Sequence, residues 1–334
     1  MNRSLMCVVF LSLWVPCAAQ DSDIQLWPEI EPYHSDYLKV SDIHRIYYEQ
    51  CGNRAGKPVF VLHGGPGGSC SPYMRRFFNP DKFLIVLHDQ RGAGKSTPSA
   101  EIEENNTQHL VQDIERLRKH LKLDKIILFG GSWGSTLALA YGQTYPKHVS
   151  AMILRGVFTA TQEEIDHFYH GGVRTFFPEV YDKFVYGLPD PNRRPIPEYL
   201  FSLIENPNPD QRAKYSRLWA AYELKICGLD IPNQRVDDIL TRMNPYVFAR
   251  LENYYMANGC FLKEGQLLKN AHKLKYTPIV MVNGRYDVIC PPINAFKLKQ
   301  KLPHAKVVLA EGAGHWMGEK PVERELLKAM REFE

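Results

Sequence analysis

The sequence predicts an α/β fold: a doubly wound, mostly parallel sheet carrying an inserted helical cap. Three observations predict it. Short apolar, β-branched runs recur along the chain, as expected of strands covered on both faces. Helix-period segments alternate with them at both ends of the chain, which implies helices packed on both faces of one sheet. Between about residues 158 and 272 that rhythm stops, and an aromatic- and proline-rich stretch with helical periodicity takes its place.

The strands expected in chain order are Val59 to Leu62, Phe83 to Leu87, Ile126 to Phe129, Ala151 to Leu154, Ile279 to Val282 and Val307 to Leu309. Between them, Thr107 is placed to cap a helix showing Leu110, Ile114, Leu117 and Leu121 on one face. Gly134 to Tyr145 reads as a second helix, rich in small residues and stopped by Pro146. A third carries Val322, Leu326, Leu327, Met330 and Phe333, with Pro321 near its start. In the interrupting stretch, Tyr199 to Glu205 and Gln211 to Leu224 read as helices, separated by prolines such as Pro195, Pro197, Pro207 and Pro209. The expected organisation is therefore a leader over 1–19, a core from 20–157 and 273–334, and a cap over 158–272.

Composition narrows the function classes. The chain has 334 residues, 44% hydrophobic and 23% charged, which suits one large globular domain with an insertion. Formal net charge is +4 and the basic residues are scattered; the densest group, Lys269 to Lys275, is broken by apolar positions. No basic stripe for nucleic acid is present. Arg3, the apolar run Leu5 to Val15 and the small residues Cys17-Ala18-Ala19 have the layout of a secretory signal peptide, too short to span a bilayer. Export to the periplasm or medium follows, with a cytoplasmic location as the alternative. Of seven cysteines, Cys7 and Cys17 would leave with the leader; Cys51, Cys70, Cys227, Cys260 and Cys290 remain, with no C-x-x-C pair that would suggest zinc. Asn105-Asn106-Thr107 is a glycosylation sequon in a glycosylating host, and also overlaps the helix cap.

The chemistry is concentrated at the strand ends. Gly130-Gly131-Ser132-Trp133-Gly134 follows one strand and opens a helix. Flanking glycines permit the tight turn that exposes a serine hydroxyl at the edge of a sheet. A nucleophilic serine needs a base, and the base needs an orienting acid. Asp287 follows the Ile279 strand and His315 follows the last strand, which gives the chain order serine, acid, histidine. His63-Gly64-Gly65-Pro66-Gly67-Gly68 follows the first strong strand and can bring backbone N–H groups close to a substrate oxygen. The expected oxyanion donors are the N–H groups of Gly65 and Trp133, with Gly64 as the alternative to Gly65. Gly92-Ala93-Gly94-Lys95-Ser96 lacks the spacing of a phosphate-binding loop. Cys290, three residues after Asp287, is expected near the site.

Taken together, these segments, with Asp89-Gln90-Arg91-Gly92, Gly284-Arg285-Tyr286-Asp287 and Gly312-Ala313-Gly314-His315, resemble the proline iminopeptidases, a family of serine peptidases of the α/β-hydrolase fold. The resemblance covers nearly the whole chain after the leader. It implies an aminopeptidase that releases an N-terminal proline from peptides, without metal or other cofactor. It also implies that Glu223, in Trp219-Ala220-Ala221-Tyr222-Glu223, and Glu252, in Ala249-Arg250-Leu251-Glu252-Asn253-Tyr254, read the substrate's free amine. Tyr222 stands where the family usually has Trp. Two carboxylates can accept both N–H donors of a protonated proline through charge-assisted bonds. Trp219, Tyr222 and Tyr254 are then expected to wall the pocket for the pyrrolidine ring. The competing readings are an esterase or amidase with the same nucleophile and another acyl preference, and a binding protein that kept the fold without catalysis.

Overall fold

The computed structural model describes residues 24–334; the expected leader and its two cysteines lie outside them. Strand β1 (His34–Lys39), β2 (Arg45–Gly52), β3 (Lys57–Leu62) and β4 (Phe83–His88) begin the sheet, with the short helix α1 (Pro72–Arg75) before β4. Helix α2 (Thr107–His120), β5 (Ile126–Gly131), α3 (Trp133–Thr144) and β6 (Val149–Arg155) follow. Between β6 and the next strand the α-helices are α4 (Gln162–Tyr169), α5 (Pro178–Tyr186), α6 (Ile196–Ile204), α7 (Pro209–Ile226), α8 (Asn233–Arg242), α9 (Pro245–Ala257) and α10 (Gln266–Lys269). The chain closes with β7 (Ile279–Gly284), α11 (Pro292–Lys301), β8 (Lys306–Ala310) and α12 (Lys320–Arg331).

The described strands form one sheet in the order β1-β2-β4-β3-β5-β6-β7-β8. β1, β2 and β4 pair antiparallel, and every pairing from β4 to β8 is parallel. Neighbouring side chains along a strand face opposite ways, so each strand feeds two cores. Phe60 and Leu62 join one, with α2, α3 and the inserted helices; Val59 and Val61 join the other, with Phe77, Phe78 and α12. That two-sided burial is why β3 to β7 read as unbroken apolar runs. β1 was not legible in this way, because His34–Lys39 is an antiparallel edge and mostly exposed.

The expected N-cap of α2 is corrected. Its N-cap is Asn106, whose side chain accepts from His109 N–H, and Thr107 is the first helical residue instead. Asn and Thr are both good caps, so sequence alone could not separate adjacent positions. The Thr107 hydroxyl is spent on Cys260 O. Asn105, the acceptor of the sequon, is buried; its amide nitrogen donates to Arg91 O and Glu101 O and its oxygen accepts from the Tyr255 hydroxyl. Both ends of the Asn105 side-chain amide are thus engaged within the folded chain. The apolar face of α12 lies where the spacing predicts, though Phe333 falls beyond the last helical turn. All five cysteines of the described residues are unpaired, and no described helix is long and apolar enough to cross a membrane.

Candidate active site

β5 delivers Ser132 with φ +57° and ψ −126°, a conformation that costs a non-glycine residue on the order of 1–3 kcal/mol. The surroundings hold it there. A Cβ on Gly130 would lie 2.2 Å from Gly134 O, and one on Gly134 would lie 2.1 Å from Leu62 O, so the turn closes only with glycine on both sides. Ser132 N–H donates to Arg155 O (2.8 Å), and its carbonyl accepts from Ser135 N–H and Oγ. With its backbone satisfied, the residue projects its hydroxyl into a cavity. Trp133 opens α3, and the N–H of a first helical residue has no intrahelical acceptor. The Gly-rich loop after β3 packs directly on the nucleophile: the Cβ position of Gly64 is 3.4 Å from Ser132 Cβ, and Gly65 lines the same cavity.

Asp287 sits in the loop after β7. Its Oδ1 accepts from the N–H groups of Ile289 and Cys290, and its Oδ2 lies 2.7 Å from His315 Nδ1. Nδ1 therefore carries the hydrogen, and Nε2 is the free basic nitrogen. Burial holds the His315 pKa below the ordinary histidine value, against the opposing pull of Asp287. The ring is therefore neutral and able to accept a proton near pH 7. Arg155 Nη1 donates to His315 O (2.7 Å), and Glu319 Oε2 accepts from Gly314 N–H, so the loop is pinned on both sides of the ring. Gly156, at φ +53°, packs beneath the pair. A Cβ there would lie 2.8 Å from His315 Cε1 and 3.1 Å from Asp287 Oδ2.

The cavity beside Ser132 is small and is lined by Gly65, Phe158, Glu164, Ile165, Phe168, Glu223, Glu252, Met256, Ile289 and Cys290. A larger hollow opens between α5, α7 and α8 and touches none of Ser132, Asp287 and His315. The small cavity holds three carboxyl groups and no basic side chain. Glu252 Oε2 accepts from Trp219 Nε1 (2.7 Å). Glu223 and Glu252 are hydrogen-bonded to each other, and Glu223 Oε2 is buried without a partner. Burial raises the pKa of both above the carboxyl range, so the pair shares a proton when the cavity is empty. Glu164, on α4, is raised by burial too, although Thr159 and Thr161 donate to it from both backbone and hydroxyl.

The structure thus brings Ser132, Gly65, Glu223 and Glu252 to one cavity and pairs Asp287 with His315. The three expected ring walls are placed elsewhere, which corrects that part of the reading. Trp219 stacks on Tyr169 at 4.6 Å, behind Glu252. Tyr222 stacks on Phe184 at 4.5 Å and donates its hydroxyl to Phe168 O. Tyr254 packs against Phe201 and Phe261. The helical period explains the difference for Tyr222, which is turned about 100° from Glu223 on α7. The apolar walls come instead from Phe158, Ile165, Phe168, Met256 and Ile289. Glu164 and its neighbours on α4 were missed, and the available signal was the capping box Thr161-x-x-Glu164 just after β6. Cys290 lines the cavity in hydrogen-bonding contact with the Ser132 hydroxyl; burial raises its pKa well above the usual value, so it is a neutral thiol.

Residues 57–320 match the family described as the alpha/beta hydrolase fold. The chain is 43% identical over 294 residues to the proline iminopeptidase of Xylella fastidiosa (strain Temecula1 / ATCC 700964), covering 87% of this chain and 93% of that one. It is 42% identical over 306 residues to the proline iminopeptidase of Arabidopsis thaliana (91% and 80% covered) and 40% identical over 305 residues to that of Neisseria gonorrhoeae (91% and 97%). Among solved structures, an alpha/beta hydrolase enzyme from a Medee basin deep-sea metagenome library aligns with TM-score 0.64 at 17% identity, covering 89% and 97%. A proline iminopeptidase-related protein from Thermus thermophilus aligns at 0.58 with 19% identity, covering 90% and 97%. At such identities these two likenesses concern the fold alone.

Proposed function

This chain belongs to the proline iminopeptidase family of the α/β-hydrolase fold, and on that premise we propose that Ser132, His315 and Asp287 carry its chemistry while Glu223 and Glu252 read the substrate amine. The enzyme is a serine aminopeptidase that releases an N-terminal proline from peptides. The observation that carries the site assignment is the Glu223–Glu252 pair, buried in the same cavity as Ser132 with one oxygen left without a partner. Buried carboxyl groups without a cation are costly, and an esterase that binds a neutral acyl chain has no use for them. A protonated N-terminal proline supplies the two N–H donors the pair lacks. The helices between β6 and β7 act as the cap that carries this pair over the strand ends.

In the mechanism, the ammonium docks against Glu223 and Glu252 and the pyrrolidine ring lies among Phe158, Ile165, Phe168 and Ile289. Ser132 Oγ attacks the carbonyl carbon of the proline residue as His315 Nε2 takes its proton. Asp287 keeps the imidazole in that tautomer and stabilises its charged form. The oxyanion is held by the N–H groups of Gly65 and Trp133. His315 returns the proton to the leaving amine, the peptide bond breaks, and water activated by the same ring clears the prolyl ester from Ser132.

The test is a panel of chromogenic amides of free proline, alanine, leucine and N-acetylproline, with a short-chain ester beside them. A strong preference for free proline that acetylation removes supports the assignment of Glu223 and Glu252. Equal cleavage of free and acetylated substrates leaves Ser132 as nucleophile and removes the amine-reading role. Ser132→Ala is expected to abolish turnover, and full activity in that variant would refute the nucleophile. The leader reading of residues 1–19 places the mature enzyme outside the cytoplasm; N-terminal sequencing of the protein from its native host, starting near Gln20, would support it.

A further inference from the structure

The loop after β4 carries Asp89-Gln90-Arg91, which takes no part in the mechanism above. Gln90 is 3% exposed, and its hydrogen bonds run to the two segments that flank Ser132. Its backbone N–H donates to His63 Nε2 (3.0 Å) and its side-chain nitrogen donates to His63 O (2.9 Å). Its side-chain oxygen accepts from Trp133 Nε1 (2.8 Å). His63 begins the loop that carries Gly65, and Trp133 begins α3. Because Nε2 of His63 accepts, its Nδ1 carries the hydrogen and donates to Gly64 O (2.9 Å), which stiffens the same loop. The Trp133 ring is fully buried, so the far end of the tie cannot drift.

We propose that Gln90 is a positioning residue for the oxyanion site, fixing the Gly65 and Trp133 N–H groups relative to each other by tying the His63 backbone to the Trp133 indole. This rests on the assignment of those two N–H groups as the oxyanion donors. A primary amide suits this role because its donor and acceptor sit on one rigid plane, one facing each segment, with no charge beside the developing oxyanion. Bonds to that oxygen strengthen only as the tetrahedral intermediate forms, so loosening the tie acts on kcat and leaves KM in place.

Gln90→Met, which keeps the volume and removes both polar ends, is measured on a prolyl amide. The expected result is a fall in kcat of about 10²-fold, the scale of a small misplacement at a reacting centre, with KM within about twofold. Phosphonylation of Ser132 by a fluorophosphonate slows in parallel, while the pH profile keeps its shape. Trp133→Phe keeps the backbone N–H and removes only the indole end; it is expected to lose a similar factor, and the double variant no more than the worse single. Unchanged kcat in both single variants, a loss expressed in KM, or multiplied losses in the double variant would overturn the proposal. A crystal structure of the phosphonylated wild-type enzyme separates the two levels. A phosphonyl oxygen held away from Gly65 and Trp133 removes the oxyanion assignment itself. The same oxygen held by both, with unaltered kinetics in the variants, removes only the role of Gln90.

Discussion

Replacing Gly156 by alanine asks how much slack the acid–base pair has. The added methyl group would press on both His315 and Asp287, at a backbone φ that alanine resists. A displaced imidazole still leaves the amine and ring contacts intact, so kcat on a prolyl amide should fall about 10²-fold with KM little changed. A variant that keeps full kcat would show that the ring has room to move. The ionisable groups make a second residue-scale prediction. In the proposed role of base His315 must be neutral, and burial sets its pKa below the ordinary value of about 6.5. In the proposed amine-reading role, Glu223 and Glu252 must shed their shared proton to take an ammonium, and burial raises both, Glu223 to about 7 and Glu252 well above its ordinary value. As pH falls and the pair takes up that proton, KM should therefore rise before kcat declines. The double variant Glu223→Gln/Glu252→Gln, which retains neither carboxyl of the pair, should lower the maximum and move the acid limb of kcat/KM down toward that of His315. Identical limbs in both enzymes would detach the carboxyl pair from substrate binding.

At the scale of elements, α9 joins the residues proposed for recognition to those proposed for chemistry. It turns Glu252 and Met256 into the cavity, sets Tyr255 edge-on against Trp133 at 5.0 Å, and sends Asn253 to the Tyr169 hydroxyl. Leu251, also on α9, is buried against Gly67 of the Gly-rich loop after β3. Leu251→Ala should destabilise the fold by about 2–5 kcal/mol, read from denaturant unfolding, and impair turnover at temperatures where the chain is still folded. Loss of stability without any kinetic effect would mean that α9 and the loop are seated independently. The same scale shows what sequence could and could not give. Strands β3 to β7 were legible because burial on both faces leaves a polar residue almost only near their ends. The motif residues were legible because each stands at a strand end where a turn needs glycine. β1 was not, since an exposed antiparallel edge carries polar residues, and α4 hid its role because one capping box looks like any other helix start. The misplaced rings of Trp219, Tyr222 and Tyr254 have a common cause: aromatic content near an acidic residue says nothing of which helical face meets the cavity.

For the whole molecule, the parallel order from β4 to β8 brings the ends of β3, β5, β7 and β8 to one edge, where they meet the carboxyl groups of α4, α7 and α9. That meeting has a thermodynamic cost. In the folded chain the Glu223–Glu252 pair keeps a proton that exposed glutamates in the unfolded chain shed near pH 4.3. Between that pH and the raised folded value the unfolded state binds fewer protons, so stability falls as pH rises. Glu252→Gln retains an acceptor for Trp219 Nε1 and removes the charge. Its melting temperature should exceed that of the wild type by a few degrees at pH 8, and the difference should shrink toward pH 4. Calorimetry at the two pH values checks this; a variant less stable at pH 8 would mean that the carboxylate supports the fold rather than burdening it.

The hydrogen bond from Trp219 Nε1 to Glu252 Oε2 also makes the binding event visible. An indole whose N–H partner changes charge alters its emission, so docking of an ammonium at Glu252 should be reported by the protein's own fluorescence. Titration with free proline, the reaction product, should give a saturable change that N-acetylproline does not reproduce. Trp219→Phe should silence it. Occupancy of the amine subsite can then be followed without label, turnover or a coupled assay.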